Sequence, residues 1–187
     1  MKDFRQMKQR GEKLTALTAY DYPTARLLDE SGIDIILVGD SVGMVVLGYP
    51  DTTDVTLDEM LHHTRAAARG VDEALLVADM PILTYDTPAQ AAETARKLVD
   101  AGAQAVKLEG GVSHVAQIEA ITQAGIPFMF YVYFSTSSMV VSPAKMLRKP
   151  SWRSVVIPSS TAFCLIVTVG ARSLINSRIG SVILRSS

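Results

Sequence analysis

Along the first two-thirds of the chain, apolar positions come in short continuous runs separated by stretches with helical spacing. The runs are "KLTALTAYD" (Lys13 to Asp21), "IDIILVGD" (Ile33 to Asp40), "ALLVADMP" (Ala74 to Pro81), "AQAVKLEG" (Ala103 to Gly110) and "IPFMF" (Ile126 to Phe130). Their length and their Val, Ile and Leu content predict strands. Between them, "YPTARLLDESG", "TLDEMLHHTRAAARG", "TPAQAAETARKLVDAG" and "VSHVAQIEAITQAG" predict four helices. Thr56 with Glu59 three residues on forms a capping box. Thr87 followed by Pro88 marks a second helix start, and Gly32, Gly70 and Gly102 are helix stops. The order is β-α-β-α-β-α-β-α-β. Strands that are apolar throughout indicate a parallel sheet covered on both faces. A doubly wound sheet and a (β/α)8 barrel both fit this order, and no G-x-G-x-x-G follows the first strand to support a dinucleotide fold.

Four predicted strands finish on or near an acid: Asp21, Asp40, Asp79 and Glu109. In parallel α/β folds the carboxyl ends of the strands form the active face. Carboxylates gathered there repel one another unless a cation intervenes. An oxygen-only ligand set suits a hard ion such as Mg2+, and the absence of His and Cys from the set argues against zinc. Asp21 fits a helix N-cap better than a ligand. Lys107 lies two residues before Glu109, so both point to one face of a strand. An ammonium beside metal-binding acids can hold a substrate carboxylate, which points to a small 2-oxo acid. His62 and His63 fall mid-helix and are expected on the outer surface; His114 is near a helix start. The single cysteine, Cys164, reads as a buried thiol. The loop from Met44 to Thr56 is either a lid or a packed connection.

Charge divides the chain. All 19 Asp and Glu lie at or before Glu119. The segment from Ala120 to Ser187 has none, is rich in serine, and loses helical periodicity. Its interleaved apolar runs, "VVIP", "FCLIV" and "SVIL", set it apart from a polar basic tail. A formal net charge of -1 leaves no footprint for nucleic acid or an anionic membrane. The run Val155 to Gly170 is too short and too interrupted to span a bilayer. The polar N-terminal stretch lacks the character of a signal peptide, so the cytoplasm is the expected compartment.

"TAYDYPTARLLDESGIDIILVGDSVGMVVLGY", "LLVADMP" and "AVKLEGG", in this order and spacing, closely resemble the ketopantoate hydroxymethyltransferase family over about residues 3 to 129. The resemblance implies a (β/α)8 TIM barrel of which only about the first half is recognisable here, usually in a homo-oligomer. It implies Mg2+-dependent hydroxymethyl transfer from 5,10-methylenetetrahydrofolate to 3-methyl-2-oxobutanoate, giving 2-dehydropantoate for pantothenate synthesis. By the same resemblance Asp40, Asp79 and Glu109 coordinate Mg2+, while Asp40, Ser41, Asp79 and Lys107 contact the oxo acid. The family's general base is a glutamate on a later strand, and no glutamate follows Glu119. Two parts are therefore expected: residues 1–130, the N-terminal part of a barrel, and residues 131–187, an aberrant tail. A shifted reading of the codons for "KMLRKPSW" can give an acidic, helix-compatible sequence, so a reading-frame error or truncation is expected. A half barrel would leave parallel strand edges open unless the apolar runs of the tail cover them. Two other functions fit the strand-end acids less well: a Mg2+-dependent 2-oxo acid lyase or mutase of the phosphoenolpyruvate mutase type, and a non-catalytic fragment that binds a partner through its basic tail.

Overall fold

The computed structural model describes residues 4–110, 112–134, 154–158 and 163–169. Five parallel strands run β1 (Ala16–Thr18), β2 (Ile35–Val38), β3 (Leu75–Asp79), β4 (Ala105–Glu109) and β5 (Phe128–Phe134). They lie side by side in chain order. Helices α2 (Tyr22–Glu30), α3 (Leu57–Ala68), α4 (Pro88–Asp100) and α5 (Val115–Gln123) connect them. A doubly wound sheet would reverse its strand order about the first strand. This sheet advances in one direction only, which is the order of a (β/α)8 barrel.

Period two along each strand sorts the side chains into two clusters. Ile36, Val38, Leu76, Ala78, Val106, Leu108 and Phe128 pack outward against the helices. Ile35, Leu75, Val77 and Ala105 point the other way and meet Phe4 and Leu14. Phe4, 1% exposed, opens a short helix α1 (Phe4–Gln9) that the polar N-terminal sequence conceals. On the inner face the series continues upward to Asp79 on β3, and to Lys107 and Glu109 on β4. Thus the same alternation that builds the core delivers the charged residues to the rim.

The expected caps are in place. Thr56 accepts from Glu59 N and forms the full capping box. Thr87 accepts from Gln90 N, with Pro88 at the helix start. Gly102, at φ 112°, ends α4 where an added Cβ would lie 2.4 Å from Ala68 Cβ, so α3 and α4 close on each other there. Buried Asp34 pins β1 to β2 by accepting from Thr15 N and Oγ1 at 2.8 and 2.9 Å.

Asp29 has a comparable role that its sequence position did not signal. From the end of α2 its carboxylate accepts from three consecutive amides, Asp72 N (3.1 Å), Glu73 N (3.1 Å) and Ala74 N (2.7 Å), and so fixes the entry to β3. Asp29→Ala is expected to lower the unfolding free energy in urea by about 1–3 kcal/mol, the cost of losing charge-assisted bonds at a half-buried turn. Asp29→Asn should recover part of the loss.

The edge of β5 is not left open. β7 (Phe163–Val169) pairs with it antiparallel, and β6 (Ser154–Pro158) pairs antiparallel with β7. The apolar runs "VVIP" and "FCLIV" thus become strands, the structure an unpaired ladder edge favours. Among the described residues no helix is long and apolar enough to cross a membrane. The Cys164 side chain and most of the segment 131–187 lie outside the described residues.

Candidate active site

Asp79 ends β3 directly opposite Lys107 in the β3–β4 register. Their side chains are 5% and 9% exposed, and Lys107 Nζ donates to Asp79 Oδ1 at 2.7 Å. The same ammonium donates to Glu109 Oε1 at 3.2 Å, as the two-residue spacing on one strand predicts. The Glu109 side chain, by contrast, is 56% exposed. Asp40, two residues past β2, donates its backbone N–H to Asp79 Oδ2 at 3.2 Å, and Thr52 hydrogen-bonds its side chain. Ser41 Oγ shares a 2.9 Å hydrogen bond with Tyr20 Oη. The structure therefore brings together all five residues expected at the site: Asp40, Ser41, Asp79, Lys107 and Glu109.

Burial sets the electrostatics. It pushes the Asp79 carboxyl up to about 6, against the opposing pull of Lys107. Burial also raises Asp40, and the negative charge of Glu109 adds to the effect while Lys107 opposes it. For Lys107, burial works against the charge, but Asp79 and Glu109 outweigh it and hold the ammonium above the usual lysine value. The rim thus concentrates negative charge that one lysine only partly neutralises.

Several residues stand elsewhere. Asp21 caps α2 by accepting from Thr24 N at 2.8 Å, the structural role expected for it. His62 is exposed as expected. His63 is not a surface residue: it is half-buried, with Nδ1 2.7 Å from Tyr20 O, because that face of α3 packs over the loop after β1. The segment after β2 forms a π-helical turn, Gly43–Leu47. Met44, Val45 and Val46 face outward, while Val55 is buried and Tyr49 donates to Glu59. Most of the stretch from Met44 to Thr56 is exposed, with Val55 its buried anchor.

The match to known proteins follows the same stretch of chain. The family model described as ketopantoate hydroxymethyltransferase matches residues 1–141. The chain belongs to that family. The match runs past residue 129, the limit of the sequence resemblance, into the segment that carries β5. The 3-methyl-2-oxobutanoate hydroxymethyltransferase of Chloroflexus aurantiacus is 53% identical over 140 residues, which are 74% of this chain and 50% of the relative. That of Thermus thermophilus is 55% identical over 133 residues, 71% of this chain and 50% of the relative. The chain spans about half the length of the curated relatives it matches. Among solved structures, a phosphonopyruvate hydrolase complexed with oxalate and Mg++ has a TM-score of 0.55 at 21% identity, covering 66% of this chain and 48% of that one. A phosphoenolpyruvate phosphomutase from Streptomyces platensis subsp. rosaceus has a TM-score of 0.55 at 22% identity, covering 65% and 48%. At this identity the likeness establishes the α/β fold alone.

The donor atoms at the rim are of the kind a hard divalent cation takes. Asp40, Asp79 and Glu109 offer oxygen atoms only. Among the described residues no three His, Cys, Asp or Glu side chains stand close enough to enclose an ion by themselves. Asp79 is instead committed to Lys107 through Oδ1 and to the Asp40 amide through Oδ2. The raised Asp40 and Asp79 carboxyls give a cation something to relieve.

Proposed function

We propose that the described residues form the metal- and oxo-acid-binding part of a 3-methyl-2-oxobutanoate hydroxymethyltransferase, with 5,10-methylenetetrahydrofolate as the one-carbon donor. The observation that carries this reading is the convergence of Asp40, Asp79, Lys107 and Glu109 at the carboxyl ends of three adjacent strands in a chain of this family. Asp40, Asp79 and Glu109 would hold Mg2+. When bound, the ion supplies Lewis acidity toward the oxygens of the oxo acid.

The chain's own groups do the rest. Lys107 keeps its short bond to Asp79 and exchanges the longer one, to exposed Glu109, for the substrate carboxylate. Tyr20 positions the Ser41 hydroxyl through a shared hydrogen bond in which either oxygen can donate. Removal of the proton from C3 needs a base. The segment after Glu119 contains no Asp or Glu to serve. We therefore propose that residues 1–187 by themselves bind the oxo acid without turning it over at the rate of the longer relatives, and that a displaced reading frame is the source of the acid-free segment. Resequencing the gene from the Ile126 codon onward tests that origin.

The functional test is calorimetry and proton exchange. Mg2+-dependent binding of 3-methyl-2-oxobutanoate is expected, with deuterium exchange at C3 far slower than in the Thermus thermophilus relative. Failure to bind the oxo acid in the presence of Mg2+ sinks the reading. Folate-dependent turnover at the relative's rate sinks the claim of a missing base. Cleavage of a 2-oxo acid without folate would favour a lyase or mutase of the phosphoenolpyruvate mutase type.

A further inference from the structure

The loop from Pro81 to Asp86, between β3 and α4, carries a residue that the charged cluster does not account for. Tyr85 is 8% exposed although it sits on a loop. Its neighbours on both sides are held by side chains from the helices. Gln90 Nε2 donates to Leu83 O at 2.9 Å, Thr94 Oγ1 donates to Thr84 O at 2.7 Å, and Gln117 Nε2 donates to Asp86 O at 2.9 Å. Gln90 Oε1 also accepts from Asp86 N at 3.0 Å. Four bonds over four residues make this an immobilised segment.

The ring of Tyr85 is backed by His114, edge to face, with centroids 5.5 Å apart. His114 in turn lies over Gly110, the residue after Glu109. A Cβ on Gly110 would come within 2.3 Å of His114 Nδ1, and its φ of 145° also favours glycine. The chain leaves space there so that the histidine can stand behind the tyrosine.

The hydroxyl is the unusual part. It makes no hydrogen bond among the described residues. It stands near enough to the rim for Glu109, Asp40, Lys107 and Asp79 each to act on it electrostatically. Burial, and then the charges of Glu109, Asp40 and Asp79, raise its pKa, so the phenol stays protonated and can only profit from an acceptor. A buried polar group beside a binding site, with no partner among the described residues, is satisfied by a ligand or by water.

We infer that Tyr85 donates a hydrogen bond to an anionic oxygen of the bound 2-oxo acid and thereby helps to select a carboxylate-bearing ligand. The inference rests on the oxo-acid reading above. Tyr85 supplies a neutral donor where Lys107 supplies a charged one, at a rim whose other groups are carboxylates. Its fixed loop and aromatic backing make the hydroxyl a preorganised contact.

The test compares the parent chain with Tyr85→Phe by calorimetry, titrating Mg2+ alone and then 3-methyl-2-oxobutanoate at saturating Mg2+. Tyr85→Phe should bind the oxo acid about 10-fold more weakly, the usual worth of a hydrogen bond to a charged group. Mg2+ affinity should be unchanged. The tyrosine absorption difference that accompanies oxo-acid binding should shrink in the variant. Equal oxo-acid affinity in parent and variant overturns the inference while leaving the oxo-acid reading intact. An oxo acid that fails to bind even the parent overturns both. Removing an unpartnered hydroxyl should leave the urea midpoint unchanged. Should Tyr85→Phe nonetheless unfold, a parent spectrum that does not respond to the oxo acid overturns the inference by itself.

Discussion

Lys107→Ala is expected to cost about 3–5 kcal/mol of stability at pH 8, because it strands the carboxylate of Asp79 without its partner. The pair is 5% and 9% exposed, so water cannot take the place of the ammonium. The loss should shrink at acid pH. In the parent the Asp79 carboxyl already stands at about 6, above its unfolded value of 3.8. A raised acid binds its proton more tightly in the folded state, so its contribution falls as pH rises from about 4 to about 6 and is level beyond. Without Lys107 the same carboxyl moves higher still and is neutral at pH 5. Urea denaturation of parent and variant at pH 8 and pH 5 separates the electrostatic cost from simple loss of packing. An equal deficit at both pH values would show that the methylene stem of Lys107, rather than its charge, holds the site together.

Asp40→Asn should have the opposite profile: little change in stability, and a large loss of metal binding. Burial and Glu109 hold the Asp40 carboxyl above its ordinary value, so its ionised form is carried at a cost to the fold. A neutral amide of the same shape removes that cost, and the variant is expected to be at least as stable as the parent at pH 8. Its Mg2+ affinity should fall about 100-fold or more, since even residues behind the ligands are worth 10- to 100-fold. Mg2+ titration by calorimetry with a parallel urea curve checks both halves. Retained affinity in a folded variant would remove Asp40 from the metal set. A stability gain together with a binding loss would mark the residue as one kept for chemistry at the expense of the fold.

Most of the fold was legible because its signals are local. Thr56 with Glu59, Thr87 with Pro88, and glycines after the helices announce the ends of α3 and α4 without tertiary information. The charged rim was legible for a related reason. Once "AVKLE" is taken as a strand, period two puts Lys107 and Glu109 on one face, and parallel pairing brings Asp79 opposite. What escaped the sequence depends on contacts between distant segments. Phe4 and Met7 are the two apolar residues of α1, too few for a periodic signal in a six-residue helix. Asp29 reads as one more surface acid on α2 until the amides of residues 72–74 arrive beside it. His63 looks solvent-facing in a helix until the Tyr20 carbonyl is placed. Tyr85 carried one faint signal, an aromatic in an otherwise small and polar loop after a strand-end acid. The alignment of "VVIP" and "FCLIV" with β5 could not be read, because antiparallel register is fixed by the partner strand rather than by the runs themselves.

Because each of β2 to β5 pairs with its immediate predecessor across a helical connection, the acidic part of the chain can assemble in the order in which a ribosome delivers it. Short separations keep the entropy of loop closure low at each addition. β3 has its partner as soon as β4 emerges, and Asp79 meets Lys107 in that same step. The charged rim is therefore built wholly from residues that precede the acid-free segment. Ile121, Ile126 and Phe128, from the acid-free segment, complete the main core without adding a charge to the rim.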